Sequence, residues 1–166
     1  MFTETVVHAG GTTEGTASEA HAFHLIRRAL TRGYTVTPTE NGGAVITWTV
    51  HLLGAGGHRR QPRSITLTPH TPAGPLTDQV RADLHTVHAA TGALPAREDG
   101  RPIIRAGLCR IGPAATSRLY AHRLVLEQGG RVRLTLMAHL ALLAAQHATP
   151  DVVAATFRPE LTAHSA

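Results

Sequence analysis

A chain of 166 residues with a hydrophobic fraction of 42% has room for one domain, or for two small lobes around a shared core. No stretch approaches the roughly 18 uninterrupted apolar residues of a membrane-spanning helix, the lone Cys109 excludes an internal disulfide, and no solenoid-type repeat is present. All 16 basic residues are arginine, against 11 acids, for a formal net charge of +5; with abundant Ala, Gly and Thr this reads as the imprint of a GC-rich genome, so the placement of the charge says more than its total. The opening residues MFTETVVHAGG lack the basic and apolar parts of a secretory signal, and a cytoplasmic protein with no membrane partner is expected.

Residues 1–15 are a Gly/Thr-rich lead-in with one short strand expected over 3–8. Thr16 followed by Glu19 has the spacing of a capping box, which predicts a helix over 17–32. Ala22, Phe23, Ile26, Ala29 and Leu30 form its apolar face, and Gly33 supplies a left-handed stop. Asn41-Gly42 is a hairpin signal between strands expected at 34–39 and 44–52; Ile46, Trp48 and Val50 alternate onto the face that should cover the helix. The Gly-rich stretch GAGGHRRQP reads as a loop before a third strand over 63–68, giving an N-terminal α-β-β-β lobe over residues 1–70. PHTPAGP is a linker by its prolines.

Thr77 is positioned to cap a helix over 78–91 with Val80, Leu84 and Val87 on one face. ALPAREDGRP reads as a polar loop and residues 103–110 as a short helix. Gly112-Pro113 starts another helix, expected over 113–124, because proline favours the first helical position. LVLEQGGRVRLT reads as two strands around Gly129-Gly130. Thr135 caps a last helix over 136–147, whose apolar residues are broad enough to leave an open side for a homodimer contact. A tail over 151–166 completes the chain. The expected fold class is α+β, with the N-terminal lobe packed on a second lobe over residues 76–150.

The excess charge is concentrated. Between Arg101 and Arg133 stand seven arginines and a single acid, Glu127, a local balance of +6. Such a block attracts polyanions. On a helix starting at Pro113 that buries Ala115, Leu119 and His122, the side chains of Thr116, Ser117, Tyr120 and Arg123 fall on the opposite or flanking faces, with Arg118 beside them; these can bond phosphates and base edges. Arg131 and Arg133 are two residues apart and project from one face of a strand, where they can lie along a phosphate backbone.

The segments IGPAATSRL at 111–119 and GGRVRLT at 129–135 resemble the second half of the bacterial winged helix-turn-helix domain, in which a turn with proline feeds a recognition helix, a short hairpin and a closing helix. The resemblance implies a DNA-binding protein of the transcriptional or plasmid- and phage-type regulator class, with the helix from Pro113 in the major groove and the hairpin as its wing. The candidate nucleic-acid-binding residues are therefore Thr116, Ser117, Arg118, Tyr120, Arg123, Arg131 and Arg133. The stretch AFHLIRRALTRGYTVTPTENGGAVITW resembles the start of the HicA-type mRNA interferases, and its element order that of double-stranded RNA-binding domains. Those toxins carry a catalytic histidine after the turn glycine, where this chain has Gly43-Ala44-Val45. RNA contact by Arg59, Arg60 and Arg63 is thus the alternative reading, beside a protein-interaction module built on a winged-helix scaffold.

No catalytic motif stands out: there is no nucleophile elbow, no phosphate-binding glycine loop and no paired-carboxylate pattern. Among 12 histidines, the pairs His21/His24 and His85/His88 have the helical spacing that zinc can use, but neither has a carboxylate or cysteine at ligand spacing. No enzyme activity, metal or cofactor is expected.

Overall fold

The computed structural model describes residues 1–54, 57–74, 76–90 and 92–158. The first half is an antiparallel sheet with a helix on one face. β1 (Phe2–His8) and β2 (Gly11–Ala17) form a hairpin, α1 (Glu19–Thr31) follows, and β3 (Thr35–Pro38), β4 (Ala44–Gly54) and β5 (Gly57–Pro69) complete a sheet of order β2-β1-β5-β4-β3. The expected α-β-β-β order is therefore preceded by a whole hairpin where one short strand was predicted. β1 lies between β2 and β5, with Thr3 opposite both Thr16 and Thr68. This pairing holds Thr16 in β2 and moves the helix start onward: Ser18 is the N-cap, its side chain accepting from the His21 amide at 3.1 Å.

One face of the sheet buries Ala44, Ile46, Leu67 and Val36 against Ala22, Ile26 and Ala29 of α1. The other presents Thr35, Thr47, Thr66, Thr5 and Thr3, β-branched side chains that suit a strand and can bond water. The ladder of β1 on β5 ends at Ser64, and that of β3 on β4 at Thr47. Beyond these points the β4–β5 ladder continues alone to Gly54 opposite Gly57. The stretch expected to be a loop is thus largely strand, because residues 49–54 find residues 57–62 as partners; its Ala55 and Gly56 lie outside the described residues. Pro62 sits where the pair has no further neighbour, the kind of edge a strand proline requires.

The second half begins with α2 (Asp78–Ala89), capped by Thr77 as expected. Then comes a three-stranded meander, β6 (Leu94–Glu98), β7 (Arg101–Ala106) and β8 (Cys109–Ile111). The helix expected over 103–110 is absent. Asp99 and Gly100, with φ of 49° and 76°, make a two-residue turn from Glu98 to Arg101, and Gly107 at φ 60° begins the turn from Ala106 to Cys109; these tight turns fold Ile103 and Ile104 into a strand.

α3 (Pro113–Ala121), β9 (Val125–Gln128), β10 (Arg131–Leu134) and α4 (Leu136–Ala145) follow in the expected order, and α5 (Pro150–Phe157) extends the chain. α3 stops three residues short of the prediction because Arg123 turns left-handed at φ 54°. Pro150 opens α5 at the first-turn position that proline favours. The remainder of the expected tail, 159–166, lies outside the described residues. No helix among the described residues is long and apolar enough to cross a membrane.

α4 is the hub of a core that runs through both lobes. Leu136, Met137, Ala138, Leu140, Ala141, Leu142 and Leu143 are all buried, so the open apolar side expected for a dimer contact does not exist: β3 and β10 both pack on this helix. The turn between β3 and β4 docks here. A Cβ on Gly42 would lie 2.2 Å from Met137 Cγ and 2.8 Å from its carbonyl oxygen, so only glycine fits. The α4 N-terminus is capped twice, by Thr135 through the Ala138 amide at 3.2 Å and by the Glu19 carboxylate, which accepts from the Leu136 amide. A residue expected to close its own helix thus closes one from the other lobe.

Candidate nucleic-acid interface

α3 buries Thr116 and Leu119 and half-buries Pro113, Ala115 and Tyr120. Its exposed positions, Ala114, Ser117, Arg118 and Ala121, recur at three- and four-residue spacing and form one stripe. Ser117 and Arg118 stand at its centre, as expected. Thr116 does not: it is 0% exposed and its hydroxyl donates to the Ile111 carbonyl at 3.1 Å, which removes it from the surface set. The predicted helix phase was one residue off at this point, and His122, expected inside, is exposed.

Tyr120 borders the stripe. Its hydroxyl donates to Glu127 Oε1 at 2.9 Å, and burial, reinforced by that carboxylate, raises its pKa well above the ordinary phenol range. Tyr120 is thereby a strut between α3 and the β9–β10 hairpin.

In the hairpin, Val125, Glu127, Val132 and Leu134 share the inner face, and Leu126, Gln128, Arg131 and Arg133 the outer one. Gly129 and Gly130, at φ 59° and 72°, form the two-residue turn that sets this register. Arg131 and Arg133 therefore share a face, as the two-residue period requires. They are not equivalent. Both are exposed, but the Arg131 guanidinium lies beside Gly92, where a Cβ would be 3.8 Å from Nη1, while the Val132 amide donates to the Ala93 carbonyl at 2.8 Å; Arg133 has no ion pair among the described residues. Arg123 is placed elsewhere. It lines a small 70 Å³ crevice between the lobes with Phe2, Glu19, His70 and Met137, and its carbonyl accepts from the Thr135 hydroxyl at 2.9 Å.

The meander gives a place to arginines that the sequence showed only as part of the charge block. Leu94, Arg105 and Arg110 lie in one cross-strand row, and Glu98 and Arg101 in another on the same face. Arg105 and Arg110 are directly opposite, an arrangement that repels. Glu98 offsets it by pairing with Arg110, and Arg105 has no ion pair among the described residues. The signal that would have found this row is Asp99-Gly100, a two-residue hairpin turn in a stretch read as polar loop.

Three histidines, His85, His88 and His139, make contacts that hold the fold. The Gln146 amide donates to His85 Nε2 at 2.8 Å. His88 meets His139 edge to face at 5.3 Å, and His139 meets Phe157 at 6.3 Å. Burial, with the neighbouring His88 charge second, lowers the His139 pKa to about 4. Among the described residues no three His, Cys, Asp or Glu side chains come together as a metal site. Cys109 is free and exposed.

Comparison of the chain with protein-family models, curated proteins and solved structures gives no match. The interface is accordingly read from its own chemistry.

Proposed function

We propose that this protein binds duplex DNA in a sequence-dependent way, as a regulator acting in the cytoplasm, where a free surface thiol such as Cys109 stays reduced. The reading rests on one observation: Ser117 and Arg118 occupy the centre of the only exposed stripe of α3, and the hairpin that Tyr120 ties to this helix exposes Arg133, with neither arginine neutralised by a carboxylate among the described residues. A helix can enter the major groove and read base edges while flanking arginines hold phosphates. Small neighbours, Ala114 and Ala121, let such a helix approach closely. The α3–hairpin–α4 order is the part of the winged-helix resemblance that supports this reading; the meander in place of its second helix is a departure from it.

Titration of labelled genomic fragments against increasing salt tests the proposal. Binding through several arginines gives an affinity that falls steeply with salt, and Arg118→Ala with Arg133→Ala lowers the slope of log affinity against log salt by about 2. A slope near zero, or a slope untouched by both substitutions, would sink it.

A further inference from the structure

We infer that the two-stranded arm formed by residues 48–53 and 59–63 is a second DNA-contacting element, a β-ribbon that enters the major groove. The inference takes its partner, duplex DNA, from the function proposed above.

The charge is one-sided. Between Glu40 and Asp78 the chain contains no acidic residue, while Arg59, Arg60 and Arg63 stand in the arm. Arg59 and Arg60 are exposed and, as neighbours in a strand, project to opposite faces. The register confirms it: Arg59 is opposite Leu52, and Arg60 opposite His51. A ribbon lying flat on a surface uses the charge of one face. Arginine on both faces, with no carboxylate on either, suits a cavity with phosphates on both sides, which is what a nucleic-acid groove provides.

The dimensions agree. Two strands about 4.8 Å apart with their side chains fill a width of about 10 Å, and the major groove, about 12 Å wide, admits such a ribbon where the minor groove, about 6 Å wide, does not. From Trp48 to Leu53 the ribbon extends about 17 Å, enough to run along the groove beyond its depth. Near its end Leu53 is 83% exposed and Leu52 39%, apolar side chains of the kind that meet the thymine methyl in the major groove. The root is stiff: Trp48 stacks on Tyr34 at 5.1 Å and 11°, and faces Arg63 across the ladder.

Trp48 is the only tryptophan in the chain and sits at the root of the arm, so its emission reports on the arm, while the anisotropy of a labelled duplex of about 20 base pairs reports on binding by any surface. Duplex titration is expected to change Trp48 emission. Arg59→Ala with Arg60→Ala should weaken binding about tenfold or more and lower the salt slope by about 2, and Arg59→Lys with Arg60→Lys should restore the slope. Replacing thymine by uracil in the duplex should weaken the wild type and not a Leu52→Ala, Leu53→Ala variant. If the duplex binds, yet Trp48 emission and the salt slope ignore the arm substitutions, the inference is wrong and the partner stands. If no duplex binds at low salt, the partner itself is wrong and the arm inference falls with it.

Discussion

The two ends of the β4–β5 hairpin share one unbroken register, from Ala44 opposite Leu67 to Gly54 opposite Gly57, and have different surroundings. At the root, β1 and β3 flank the pair, Ala44, Ile46 and Leu67 are buried, and Gly43 is so close to the Leu67 carbonyl that a Cβ would lie 2.3 Å from it. Past Trp48 neither neighbour continues, and Leu53 and the two arginines face outward. Strand pairing alone does not separate a structural element from a functional one. What separates them is whether side chains are committed to other parts of the fold.

The comparison breaks most directly by truncating an apolar side chain at each end. Ile46→Ala is expected to lower stability by about 3.5 kcal/mol, because the removed atoms leave a void that a flanked strand cannot close. Leu53→Ala should change it by less than about 0.5 kcal/mol, as for a surface position. Urea unfolding with an unchanged m-value measures both. Similar losses would mean that the arm is packed in solution and the distinction between root and tip is false.

Acid should loosen the packing behind the root. β3 packs on α4 and α5, and His139 of α4 lies between His88 and Phe157. Its folded pKa of about 4 is below the 6.5 of an unperturbed histidine, so between these values the unfolded chain binds more protons than the folded one, and stability falls as pH falls. From about pH 7 to about pH 5 the difference amounts to about 2 kcal/mol. His139→Leu should remove that part of the acid sensitivity. A variant whose melting temperature declines with acid as steeply as the wild type would place the sensitivity elsewhere.

Much of the framework was legible where a local signal has a single solution. Thr77, Pro113 and Thr135 start their helices as predicted, Gly129-Gly130 makes its tight turn, and residues 35–38 pair with residues 44–47. The hairpin signalled by Asn41-Gly42 is present, with Gly42 left-handed at φ 82° and the Asn41 side chain accepting from the Gly43 amide at 3.1 Å. The misses arose where a distant partner decides. β2 and residues 57–62 are strands because β1 and β4 lie beside them, which local propensity does not reveal. At the candidate site, the exposure of Ser117, Arg118 and Arg133 was legible, because it follows from periodicity. Thr116 was not, since its burial depends on the Ile111 carbonyl, five residues back at the end of a strand that had been read as helix.

The α3 surface poses the same question on a smaller scale, because Tyr120 sits between a committed interior and an open stripe. Its hydroxyl bonds Glu127 on the inner face of the β9–β10 hairpin, and its raised pKa keeps the proton on through the ordinary pH range. If Tyr120 belongs to the framework, Tyr120→Phe removes one hydrogen bond and costs about 1 kcal/mol, while duplex affinity and its salt slope stay as they were. If it belongs to the interface, stability barely moves and affinity drops. Paired thermal and anisotropy measurements on this one substitution discriminate, and the expected result is the first: a hydroxyl already donating to a carboxylate inside the hairpin has no proton left to offer a phosphate.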